Sequence, residues 1–189
     1  MSDEAALEIC PPERLNQALV IVEEDGHAGL AALEGLLAEY PDDPQLHFLG
    51  GSVLAGLGRF DEAQVALAMA VEIAPDFEIA RFQLGLMRLT SGNLDGAMTT
   101  WAPLQALADD HPLRLFSEGL LQMADDAFVA AGEKIRAGLA RNHENPVLNR
   151  DMQMVLDAMA QQTAEAATSE EMSEAHLLLQ QFAPKSTRH

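Results

Sequence analysis

Six histidines, one cysteine and 30 carboxylates are the side chains of this 189-residue sequence that could carry acid–base, nucleophilic or metal chemistry. Their spacing argues against all three. His27, His47, His111, His143, His176 and His189 are scattered, and no two stand at a metal-ligand spacing. Cys10 has no second cysteine, so it forms no disulfide within the chain and points to a reducing compartment. The acid pairs Asp42-Asp43, Asp109-Asp110 and Asp125-Asp126 fall at expected loops or helix starts, where turn chemistry and helix dipoles account for them. Neither a glycine-rich phosphate loop nor a nucleophile elbow occurs. The sequence therefore predicts no enzymatic activity, no cofactor and no bound metal.

The elements that position these residues repeat with a fixed period. Phe48, Phe82 and Phe116 are 34 residues apart, as are Gly51, Gly85 and Gly119, and Ala63, Ala97 and Ala131. Phe60, Leu94 and Phe128 form another column; so do Leu67, Trp101 and Ile135, and Gly58 and Gly92 share a turn position. Each unit reads as two helices joined by a tight turn. In the first, Pro44 to Leu57 has helical apolar spacing, Gly58-Arg59 turns the chain, Asp61-Glu62 puts acid in the next first turn, and Pro75 closes the unit. The second runs from Glu78 through Ser91-Gly92-Asn93 to Ala108, the third from Pro112 through Asp125-Asp126 to about Asn142. Small residues in the Gly and Ala columns let the paired helices approach closely.

The order Gly51, Gly58, Phe60, Ala63, Leu67, Ala70, Pro75 resembles the tetratricopeptide repeat, a helix-turn-helix unit that stacks into a superhelix. The resemblance implies an all-α, right-handed solenoid forming a single domain over residues 1–189. Its units are 44–77, 78–111 and 112–145, preceded by a degenerate unit at 10–43 that keeps Gly29, Leu33, Leu36 and Pro41. Asn145-Pro146 reads as an N-cap and first helical residue of a capping helix reaching about 167. Thr168 with Glu171 fits a capping box ahead of a second helix, 169–182, with Met172, Ala175, Leu178, Leu179 and Phe182 on one face; 183–189 reads as a disordered tail.

Repeats of this family bind peptides on the concave surface made by the first helix of each unit. Here the resemblance maps that groove onto Phe48, Ser52 and Ala55, then Phe82, Leu86 and Leu89, then Phe116, Leu120 and Met123. Three phenylalanines about 10 Å apart would form an apolar ladder. Ordinary packing of the same rings is the competing reading, and helix 169–182 folding back into the groove is another. No Lys or Asn stands at these positions, so capture of a terminal carboxylate is not expected.

The net charge of −19 disfavours nucleic acid and anionic membranes as partners. The charge is uneven: residues 1–43 hold 11 acids and one base. That excess serves either solubility or the steering of a basic partner. Residues 1–10 show no basic n-region or apolar core of a signal peptide, and no apolar run is long enough to span a bilayer, so a cytoplasmic protein without membrane insertion is expected. The functional expectation is a non-enzymatic adaptor that holds an apolar or basic peptide segment of a partner. The alternatives are a small acidic holding chaperone similar to those of type III secretion, and self-association as a homodimer through helix 169–182.

Overall fold

The structure, a computed structural model, describes residues 8–162, and every regular element among them is helical. The chain divides into two compact units, Met1–Asp109 and Asp110–His189.

The first unit contains α1 (Pro12–Glu24), α2 (Gly26–Glu39), α3 (Pro44–Gly56), α4 (Phe60–Ile73), α5 (Glu78–Thr90) and α6 (Leu94–Trp101). Each packs against the next along the chain, except that α6 is the last and continues into a 3-10 turn, Ala102–Ala106. Local sequence explains the boundaries. Asp25 alone separates α1 from α2 and caps α2, its carboxylate accepting from the His27 and Ala28 amides. Asp43 does the same for α3 through Gln45 and Leu46, while its second oxygen accepts from the Cys10 amide at 2.8 Å. The residues around Cys10 are thereby tied to the start of α3, and Asp43 is 3% exposed. The degenerate stretch 10–43 is thus a complete helix pair. Gly29 makes it possible, because a Cβ there would lie 2.5 Å from the Val22 backbone.

The second helix of the 78–111 repeat is shorter than its spacing suggests. Pro103 lacks the N–H that would extend α6, and the chain tightens into the 3-10 turn. Two arginines of α5 reach carbonyls of α6: Arg81 to Thr100, and Arg88 to Gly96 and the Thr100 hydroxyl.

In the second unit α7 (Pro112–Ala124) packs on α8 (Phe128–Leu139), and the chain is helical again from 146 to 162. The turn between α7 and α8 lacks glycine, yet Asp126 takes φ 60°, close to the φ of Gly58 (76°) and Gly92 (81°) in the other two repeats. Aspartate is among the few residues that tolerate this left-handed region. Asn145 caps the helix from 146 as the sequence suggests, its side chain accepting from the Leu148 amide at 3.0 Å. The expected helix 169–182, its capping box and the tail 183–189 lie outside the described residues.

The core of each repeat is a small residue of one helix set against a large one of the other. A Cβ on Gly51 would meet Leu67 at 2.8 Å, one on Gly119 would meet Ile135 at 2.8 Å, and one on Gly85 would meet the Trp101 indole at 2.1 Å. Ala63, Ala97 and Ala131 are all fully buried. The sequence period marks these close helix crossings.

Candidate peptide-binding surface

Five of the residues expected in a groove lie partly accessible on the first helices of the first unit, α3 and α5. Phe48, Ser52, Leu86 and Leu89 are half-buried, and the first two share a face with Ala55 on α3. The Ser52 hydroxyl donates to the Phe48 carbonyl at 2.9 Å and hydrogen-bonds the Gln83 side-chain amide of α5 at 3.0 Å. The Phe48 ring leans on Phe77, the residue before α5, with centroids 5.1 Å apart. The face formed by α3 and α5 thus carries an aromatic edge, a polar pair and aliphatic positions, a combination that suits an apolar segment with an occasional main-chain hydrogen bond.

The phenylalanine column does not continue as an open ladder. Phe82 and Phe116 are both 0% exposed. Phe82 stacks on Trp101 at 5.7 Å, and the indole N–H donates to the Phe82 carbonyl at 2.9 Å. The bulky indole enters the space left by Gly85 and needs a ring to cover it. Phe116 occupies the space over Gly138, where a Cβ would lie 2.5 Å from the ring. Leu120 is 1% exposed, so of the second unit's three expected positions only Met123 is half-accessible. For Phe82, Phe116 and Leu120 the packing reading matches the burial. Gln83 and Phe77 were missed because neither stands in a repeated column, although Gln83 one place after Phe82 falls on the helix face beside Ser52.

Charges in the first unit are distributed unevenly. Arg14 pairs with Glu39 at 2.5 Å across α1 and α2, and Arg59 holds Glu62 through two bonds of 2.7 and 2.5 Å. Hydrogen bonds from these arginines hold the Glu39 and Glu62 carboxyls below their usual values. Arg81 and Arg88 go to carbonyls and a hydroxyl instead. In the second unit burial raises the Glu118 carboxyl, but bonds from Lys134 and Arg114 outweigh it and leave the group below its ordinary value. Among the described residues no three His, Cys, Asp or Glu side chains are placed to hold a metal. No helix among them is long and apolar enough to cross a membrane.

Comparison with known proteins gives the same fold. Residues 22–85 match the family model described as tetratricopeptide repeat. Tetratricopeptide repeat protein 34 of Homo sapiens is 34% identical over 87 residues, 46% of this chain and 15% of that protein; its Mus musculus counterpart is 30% identical over 95 residues, 50% of this chain and 17% of that one. The chain thus spans about a sixth of the length of these curated relatives. Among solved structures, the MamA 41-end chain from Desulfovibrio magneticus RS-1 superposes with a TM-score of 0.58 at 16% identity, covering 92% of this chain and 96% of that one. The MamA RS-1 ArsTM double mutant gives 0.57 at the same identity and coverage. With the recurring columns and paired helices, these likenesses identify tetratricopeptide repeats in the chain, and repeats of this kind support a protein–protein interaction module in general.

Proposed function

We propose that the protein is a non-enzymatic adaptor whose first unit holds an apolar peptide segment of a partner across the face of α3 and α5. The observation that carries this reading is the Ser52–Gln83 bond between the two helices, flanked by half-buried Phe48, Leu86 and Leu89. Partly exposed aliphatic and aromatic side chains supply burial, and the polar pair supplies register. A cytoplasmic setting, with Cys10 as a free thiol, belongs to the same proposal.

Selection of peptides from a random display library against the whole protein tests it. Apolar peptides should emerge, and their affinity should fall about tenfold or more in Leu86→Lys and Ser52→Lys. Failure to select any peptide, or peptides that bind both variants as well as the parent, would refute the groove. A holding chaperone would instead suppress aggregation of an unfolded client without sequence preference, and both variants would retain that effect.

A further inference from the structure

The outer face of α4 departs from the polar surface of an ordinary second helix. Phe60, Val65 and Met69 are 57%, 66% and 38% exposed. Val65 and Met69, with Leu54, Ala66, His47, Asp61 and Glu62, line a cleft of about 430 Å³. Its floor is apolar and fixed: Leu54 packs with Leu30 and Ala63. Single exposed apolar residues are ordinary, but here two of the three, Val65 and Met69, converge on a cleft over a packed floor.

Charge marks both ends of this line. Asp61, Val65, Met69 and Glu72 follow one another at helical spacing along one face of α4, a span of about 16 Å at 1.5 Å per residue. Arg59 engages Glu62 and feels the field of Glu34, whereas Asp61 and Glu72 pair with no cation among the described residues. Residues 1–109 hold 18 acids, four arginines and no lysine. Two of those arginines are committed to carbonyls and a hydroxyl of the protein itself.

We propose that this cleft docks a helix of another protein, apolar along one face and carrying lysine or arginine at both ends of that face. The length fits: apolar side chains at i, i+3, i+4 and i+7 cover about 10 Å, which leaves flanking cations opposite Asp61 and Glu72. A helix suits the cleft better than an extended strand. The helical backbones lining the cleft bond internally, so a strand laid there would find no main-chain partners. This surface is built on α4 with His47 and Leu54 of α3 and shares no residue with the face of Phe48, Ser52, Gln83, Leu86 and Leu89, so either site can fail without the other.

The probe is a synthetic helical peptide with leucines at i, i+3, i+4 and i+7, lysines at both ends of that face, and an alanine–glutamine background. A twin carries glutamate for lysine. Titrated into the whole protein and followed by amide NMR and fluorescence anisotropy, the lysine peptide should bind saturably, with shifts centred on α4 and Leu54. Affinity should drop about tenfold or more in Val65→Glu and in the double variant Asp61→Lys with Glu72→Lys. It should weaken as salt rises from low to physiological strength. Helical circular dichroism of both variants confirms that the fold persists. The proposal is overturned by absent saturable binding, by equal binding of the glutamate twin, or by shifts centred on Phe48, Ser52 and Leu86. Sedimentation showing self-association lost in Val65→Glu also overturns it, because a second copy of the chain would then be the occupant.

Discussion

Replacing Gly85 by alanine sets two effects of opposite sign against each other. Alanine in a helix interior is favoured over glycine by about 1 kcal/mol. Against that, the new Cβ would stand 2.1 Å from Trp101 Nε1 and 2.4 Å from Cε2, where ordinary contact is about 3.5 Å. The indole must retreat by more than about 1 Å, yet it is 1% exposed and covered by Phe82. Overpacking of this kind costs about 1–3 kcal/mol. Pulling the indole N–H off the Phe82 carbonyl leaves a buried donor unpaired, a further cost of about 1–3 kcal/mol. The net expectation is destabilisation by about 2–4 kcal/mol, which for a chain of this size lowers Tm by about 5–15 °C.

The assay is guanidinium unfolding followed by circular dichroism and by the emission of Trp101, the only tryptophan in the chain. Emission should already be red-shifted in the folded variant, since the probe sits at the perturbed contact. Gly35→Ala is the control: nothing lies within 4 Å of its added Cβ, so propensity alone acts and stability should rise by about 0.5–1 kcal/mol. If Gly85→Ala were as stable as its parent, the helix crossing at that column would be looser than the geometry requires and the packing argument would fail.

Three further perturbations probe other joints. Phe82→Ala should cost about 3–5 kcal/mol in the same unfolding assay, because the ring is fully buried over Trp101; a loss below about 1 kcal/mol would return the ring to the binding surface. Asp43→Ala removes the cap of α3 and the acceptor for the Cys10 amide together, so a loss of about 2–3 kcal/mol is expected, with hydrogen exchange around Cys10 rising in step. Glu118 titrates lower in the folded chain than in the unfolded one, so its stabilisation is present above the unfolded carboxylate value and fades as pH falls through the folded one. Glu118→Gln should therefore destabilise at pH 7 by about 1 kcal/mol and converge with the parent as pH falls through the folded carboxylate value; a pH-independent gap would assign the effect to packing.

Positions that must be small were legible because closeness of approach leaves a mark on composition. Gly51, Gly85 and Gly119 recur in the sequence, and each faces a large side chain at under 3 Å from a would-be Cβ. Asn145 and Pro146 were legible as a cap for a similar reason, since the side chain itself makes the bond. The direction of a phenylalanine was not. Periodicity puts Phe48, Phe82 and Phe116 at equivalent helix positions, but the partner across the crossing decides whether the ring turns in. Trp101 draws Phe82 inward, and Gly138 opens a hole for Phe116. The left-handed turn at Asp126 and the shortening of α6 at Pro103 were equally hidden, because each depends on backbone geometry that one residue sets alone.

These packing choices bear on where binding can occur. Each repeat must fill the space at its glycine crossing, and the large residue doing so is Leu67, Trp101 or Ile135. Where the filler is the smaller Leu67, the neighbouring Phe48 stays half-exposed against Phe77; where it is Trp101, Phe82 is consumed in covering it. A first-helix ring cannot serve both core and partner, so the accessible apolar surface of the first unit shifts away from the phenylalanine column. It goes one turn along α5, to Leu86 and Leu89, and outward on α4, to Val65 and Met69. The packing around each ring, rather than the repeat motif, thereby governs which first-helix positions remain available to a ligand: Trp101 is covered by Phe82, and Gly138 makes room for Phe116 although the crossing residue there, Ile135, is no larger than Leu67.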